Sequence, residues 1–192
     1  MKNCINFAAE AKMRFDDVLG NEKLWAAVYD GDSENILFLT IKQWLDPDYL
    51  RDFFLSNITD LINNFRITNL EEAIFDTVED ATQLACVILD IQPDADLNRH
   101  FRPLENYRTS EMVLSREKAK GFKQTKHSSW LRLYALKLDN GVFLITGGAI
   151  KLTQTMAERE HTLQELQRME KIRNYLLEQG VTDIAALKDY MA

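Results

Sequence analysis

Apolar positions recur along this chain with two different periods, and the change from one to the other divides it. Between Leu70 and Ile91 the residues Leu70, Ile74, Thr77, Ala81, Leu84, Ile88 and Ile91 alternate steps of four and three, which lines one face of a long α-helix. Glu71, Glu72, Asp76, Glu79, Asp80 and Asp90 are predicted mostly on the solvated face, with Thr68 or Asn69 as the cap. Shorter helical patterns precede it. Ser33 can cap a helix to about Leu45, Asp46-Pro47 supplies an N-cap and a first-turn proline for PDYLRDFFLS, and Leu61, Ile62 and Phe65 suggest a helix over Thr59 to Phe65. Pro93, Asp94, Asp96 and Pro103 then mark a loop region.

Beyond that region the period shortens to two. MVLSRE, within Met112 to Lys126, reads as a strand followed by a loop broken at Gly121. Trp130 to Met156 reads as a β-hairpin, with Asn140-Gly141 supplying the positive φ values of a two-residue type I′ turn. That turn would pair Leu138 with Phe143, Leu136 with Ile145 and Tyr134 with Gly147. Val142 to Ile145 is apolar without alternation, as in a central strand covered on both faces. Gly147-Gly148 reads as a bulge or kink before a further strand. The chain then returns to helix, opened by a capping box at Thr162 to Glu165, closed by Gly180, and followed by a last helix from Asp183 to Tyr190 capped by Thr182 or Asp183. The expected class is α+β: a helical N-terminal half and a small, antiparallel-rich sheet (hairpin 130–146 plus strand 149–153) packed by C-terminal helices.

Charge sharpens this division. The chain carries −7 overall, but residues 1–105 hold 20 acids and 9 bases, whereas residues 106–192 hold 10 acids and 14 bases. An acidic, mainly helical region, 1–105, and a basic α/β region, 106–192, are expected, as two units or as one compact domain. The halves can attract each other or present solvated faces; the basic segment can also be a polyanion site. Cys4 and Cys86 match no metal or redox spacing, which suggests reduced thiols. No apolar run approaches the roughly 20 residues of a membrane span. A cytoplasmic location without a membrane partner is expected.

Strand alternation places Trp130, Arg132, Tyr134, Leu136 and Leu138 on one face. Through an unbulged turn that face also receives Phe143, Ile145, Ala149 and Lys151, so Arg132, Tyr134 and Lys151 could meet as a catalytic cluster. Two cations beside a phenol suit a phosphodiester, because the cations stabilise developing charge while tyrosine or lysine moves a proton. A bulge at Gly147-Gly148 would instead send Lys151 to the other face, leaving ordinary strand residues. Arg116, Lys118, Lys120, Lys123 and Lys126 are the candidate polyanion-binding residues. His127 lies among them, whereas His100 and His161 are scattered, so neither a metal site nor a cofactor is expected.

The order of LRLYALKL, a turn, VFLITGG, IKLTQTM and a helix with Glu165 and Arg168 or Arg173 facing outward resembles the core of the RelE/ParE toxin superfamily, in particular its HigB-like members. The resemblance spans roughly residues 110–180. It implies a small α/β domain that cleaves messenger RNA in the ribosome, or in some branches poisons gyrase, and that an antitoxin neutralises. Arg132 would be the strand arginine, Lys151 the lysine after the central strand, and Lys118, Lys120 and Lys126 the residues contacting RNA. Such toxins are usually basic and about half this length, so the acidic extension could shield the basic face. Two classes stay open: a toxin-like RNA-binding protein or endoribonuclease, and a non-catalytic interaction or regulatory protein, for which a homodimer is one expected form.

Overall fold

The apolar run Val142 to Ile145 is fully buried, and the sheet forms around it. A computed structural model describes residues 13–92, 94–104, 115–120, 128–138 and 141–192. Its strands are β1 (Arg14–Asp17), β2 (Leu24–Val28), β3 (Arg102–Pro103), β4 (Ser115–Lys120), β5 (Leu131–Lys137) and β6 (Phe143–Ile150). Its helices are α1 (Ile36–Trp44), α2 (Pro47–Ser56), α3 (Ile58–Phe65), α4 (Leu70–Leu89), α5 (Glu160–Glu178) and α6 (Ile184–Met191). The fold is α+β, with one six-stranded mixed sheet in the order β1-β2-β6-β5-β4-β3.

The N-terminal half is therefore only partly helical, because it also supplies three strands. β1 and β2 form a hairpin whose turn is held by Asp17, which accepts the N–H of Leu19, Gly20 and Glu22 at 3.2, 3.0 and 2.8 Å. β2 pairs parallel with β6, the one parallel pairing in the sheet. β6 is thus central, with buried side chains on both faces. A Cβ at Gly148 would stand 2.7 Å from Thr40 Cγ2 and 3.0 Å from Trp44 of α1, whereas one at Gly147 would stand 1.8 Å from Glu165 Oε2 of α5. Successive strand residues point to opposite faces, so α1 covers one side of β6 and α5 the other.

Several predicted details move by a residue or more. Leu138 N–H donates to Val142 O at 2.8 Å, so three residues close the hairpin, with Gly141 at φ +75°. Asp139 and Asn140 lie outside the described residues. The longer loop shifts the first rungs to Lys137–Phe143, Leu136–Leu144 and Ala135–Ile145, and a bulge at Thr146 restores Tyr134–Gly147. The irregularity falls before the glycines, and β6 runs through them to Ile150. The separate strand 149–153 is not formed: β6 continues to Ile150, Lys151 keeps one backbone bond to Trp130 O, and its Nζ donates to Thr153 O at 2.6 Å beyond the ladder.

The helices keep their faces better than their ends. α2 starts with the Asp46 cap and Pro47, as the sequence predicts, while α1 is capped by Asn35 and not by Ser33. α4 buries Ile74, Thr77, Ala81, Leu84 and Ile88 as expected, but it also buries Asp80, which accepts a hydrogen bond from Ser129 Oγ. Asp80 sits on the apolar side of the helix because Ser129 can reach it there. The predicted capping box at Thr162 is absent. Thr162 lies inside α5 and donates to Met156 O at 2.6 Å, and a capping box is instead made by Thr155 and Glu158, which opens the short 3-10 turn Met156–Glu158 before α5.

Gly148→Ala should destabilise the protein by roughly 1–3 kcal/mol, because its methyl group meets a backbone oxygen and two packed side chains. Urea unfolding measures this. Gly147→Ala should cost less, since the clashing atom ends a flexible side chain.

Candidate functional site

The sheet register assembles the predicted cluster on one face. Arg132 stands opposite Ala149, Tyr134 opposite Gly147, and Lys118 of β4 opposite Tyr134. Because the bulge precedes Gly147, Lys151 stays in phase with Ala149, and its N–H donates to Trp130 O at 2.8 Å. Arg116 and Lys120 occupy register positions opposite Leu136 and Arg132. Lys123, Lys126 and His127 lie outside the described residues.

Backbone oxygens hold these cations. Arg132 Nη1 donates to Ser129 O at 2.9 Å and to Leu131 O at 2.6 Å. Lys151 Nζ donates to Thr153 O and Gln154 O, and Lys118 Nζ to Leu104 O at 2.9 Å. A carbonyl fixes a cation without neutralising it, so Arg132 and Lys151 keep their charge on this face. Burial lowers the Arg132 pKa most, against the opposing pull of Tyr134 and Asp80. Burial also lowers that of Lys151; Arg132 and Lys118 push it the same way, and Glu158 opposes them. Lys151 thus lies within electrostatic reach of Arg132 and Lys118.

Tyr134 belongs to the layer beneath. It is 1 % exposed, and its hydroxyl is buried with no hydrogen-bond partner. Burial raises its pKa, with Arg132 opposing and Glu165 adding to the rise. At neutral pH it is a phenol that a bound ligand does not touch in this arrangement.

A second polar constellation borders β6. Its outer edge is flanked by β2 only as far as Ile145. Past that point side chains take over: Tyr29 Oη donates to Thr146 O, and His161 Nε2 lies 2.9 Å from Ile150 O. Because a carbonyl only accepts, that ring nitrogen carries the proton. Between α1 and α5 an open slot of about 620 Å³ follows this edge, lined by Thr40, Gln43, Tyr49, Gln164, Glu165 and Arg168 among others.

Glu165 is the buried acid of this region and does not face outward. Its side chain is 11 % exposed; Oε1 accepts from Arg168 Nη1 at 2.7 Å, while Oε2 lies over Gly147 without a hydrogen bond. Burial pushes its pKa up to about 7, although Arg168 and the Gly148 amide both favour the charge. Arg168 also stacks on Tyr29, 5.1 Å from the ring centroid. The sequence carried a signal for this acid: Thr162, Glu165, Met169, Ile172 and Leu176 alternate steps of three and four, and all but Glu165 are fully buried. A carboxylate thus stands at a core position. Thr40, Tyr49 and His161 had no comparable signal, since only the fold brings them together.

Among the described residues no group of His, Cys, Asp or Glu is placed to hold a metal ion, and no helix is long and apolar enough to cross a membrane. Cys86 is a free, exposed thiol. Comparison with protein-family models, with curated proteins and with solved structures finds no match.

Glu165 gives the fold a pH dependence of known sign. Its folded pKa lies above the unfolded value, so folding favours the protonated acid and the ionised form costs stability. That cost is present above about pH 7 and disappears as the pH falls through the folded value towards 4.5. Relative to Glu165→Gln, the wild-type protein should gain roughly 2–3 kcal/mol between pH 8 and pH 5. Paired urea titrations would read this difference, and equal pH profiles would refute it.

Proposed function

We propose that this is a toxin-like RNA-binding protein, an endoribonuclease of a toxin–antitoxin type system, which takes a phosphodiester on the face built by Lys118, Arg132 and Lys151. One observation carries the reading: Arg132 and Lys151 stand on one sheet face, and the groups they hydrogen-bond are backbone carbonyls. Cations fixed in this way remain available to an anion. The resemblance to RelE/ParE toxins supports the same residues, and an antitoxin-like protein and the ribosome are then the expected partners in the cytoplasm.

RNA suits this face chemically. Attack of a ribose 2′-oxygen on the adjacent phosphorus forms one O–P bond and breaks the bond to the 5′-oxygen. Arg132 would hold the non-bridging oxygens as charge builds on them. Lys151 would share that charge as a cation beside Arg132, while water would take the 2′-hydroxyl proton and return a proton to the departing 5′-oxygen. Tyr134, buried beside Arg132, would position the guanidinium and not touch the RNA.

A second reading, a non-catalytic interaction protein, rests on α4. That helix has no basic residue and exposes Phe75 at 66 % and Leu89 at 49 %, which suits a partner that covers apolar surface.

Fluorescence anisotropy with a labelled single-stranded RNA separates the two. Phosphate binding should weaken steeply with salt. Arg132→Gln and Lys151→Gln should each weaken binding about three- to tenfold and flatten the log–log salt slope by about 0.7. Both variants should also lose cleavage on a gel while unfolding at wild-type urea concentrations. Salt-insensitive binding, or variants that bind and cleave normally, would defeat the RNA reading.

A further inference from the structure

The edge of β6 beside the slot is capped at both ends and open in the middle. Lys151 N–H bonds to Trp130 O of β5. In an antiparallel ladder alternate residues direct both backbone groups to the same neighbour, so Gly147, Ala149 and Lys151 face β5 while Gly148 and Ile150 face the slot. Four backbone groups are therefore presented there. The Gly148 N–H stabilises the charge of Glu165, and Ile150 O accepts from His161 Nε2 at 2.9 Å. Gly148 C=O and Ile150 N–H have no strand beside them, because β2 pairs only as far as Ile145.

An acceptor followed two residues later by a donor is one rung pair of a parallel ladder. One residue of an incoming chain, running in the direction of β2, would donate its N–H to Gly148 O and accept from Ile150 N–H. In such a ladder the preceding carbonyl of that chain would bond Gly148 N–H, and its next facing N–H would bond Ile150 O. Glu165 and His161 occupy those two flanking places.

From this we infer that the slot binds a short extended peptide segment of a partner protein, one residue of which completes the ladder where β2 leaves it. The walls fit a main chain. Thr40, Gln43, Tyr49 and Gln164 offer hydroxyls and amides, and Trp44 offers an apolar surface. Lys42 pairs with Glu34, Arg168 with Glu165, and Asp46 is engaged as the cap of α2, so the segment at the rung needs no charge. At about 620 Å³ the slot has the size of an ordinary ligand site. Main-chain hydrogen bonds give the affinity, and the walls select the flanking side chains. This inference is independent of the RNA reading, because it uses no side chain of Lys118, Arg132 or Lys151.

The test pans a phage-displayed library of random linear heptapeptides against the full chain. An enriched peptide, synthesised, is then titrated into ¹⁵N-labelled protein. The Ile150 amide resonance should move and its hydrogen exchange should slow at least tenfold. N-methylation of the peptide's rung residue should weaken binding at least tenfold. Gln164→Trp, at an exposed position on the slot's rim, should do the same while keeping the wild-type unfolding midpoint and RNA binding. No enriched peptide, or one that binds Gln164→Trp or survives N-methylation at every position, would overturn the inference. So would self-association that Gln164→Trp abolishes, since that would assign the slot to a second copy of this chain.

Discussion

β6 has a strand on both edges for only part of its length, and most features of the molecule follow from that mismatch. From Phe143 to Ile145 it lies between β2 and β5. A strand so placed satisfies its backbone through its neighbours and can bury its side chains above and below. From Thr146 onward β2 has gone, while β5 continues beside it to Ile150. The outward-facing groups still need partners, because a buried unpaired amide or carbonyl costs as much as a lost hydrogen bond. Tyr29, Glu165 and His161 come from opposite ends of the chain to supply them. The slot exists because side chains replace a strand's hydrogen bonds without filling its volume.

The same half of β6 fixes the cation face. A bulge adds one residue to one strand and inverts every side chain beyond it relative to an unbulged ladder. The three-residue hairpin loop displaces the register by one, and the bulge at Thr146 displaces it back. Two irregularities of opposite effect leave Ala149 and Lys151 on the side of Arg132 and Tyr134. With only one of them, Lys151 would lie on the α1 side, and Arg132 would lose its electrostatic neighbour.

What the sequence made legible divides along physical lines. Local periodicity sufficed for α4 and for the hairpin, because each is decided by residues close in the chain. Asp46-Pro47 announced the start of α2 for the same reason. Non-local pairing was harder. β1 and β2 are only 4 and 5 residues long, and β2 is wholly buried without alternation, so nothing local separates it from a buried helical turn. The Gly20-Asn21 pair between two apolar runs was the available sign of a turn. Boundaries set by tertiary contact also escaped, as Thr162 shows: its hydroxyl donates to Met156 O inside α5, while Thr155 and Glu158 cap the short 3-10 turn before it. Of the candidate site, Arg132 was legible because strand alternation carries it; Lys151 reaches the same face only because the longer loop and the bulge cancel, and the burial of Tyr134 depends on helix placement.

Glu165 connects the two constellations without belonging wholly to either. Its Oε1 holds Arg168, and Arg168 lies over Tyr29, which in turn bonds the bulged residue Thr146. Its Oε2 lies over Gly147, directly across the ladder from Tyr134, whose pKa it raises. A leucine at this position would match the apolar stripe of α5, but it could neither hold Arg168 nor face the Gly148 amide. The carboxylate is therefore explained by the edge of β6 and not by the helix that carries it. Gly147 is explained by the carboxylate, since any Cβ there would occupy the place of Oε2. The Gly-Gly pair follows from packing alone: one glycine admits Glu165 from below the sheet, and the other admits Thr40 and Trp44 from above.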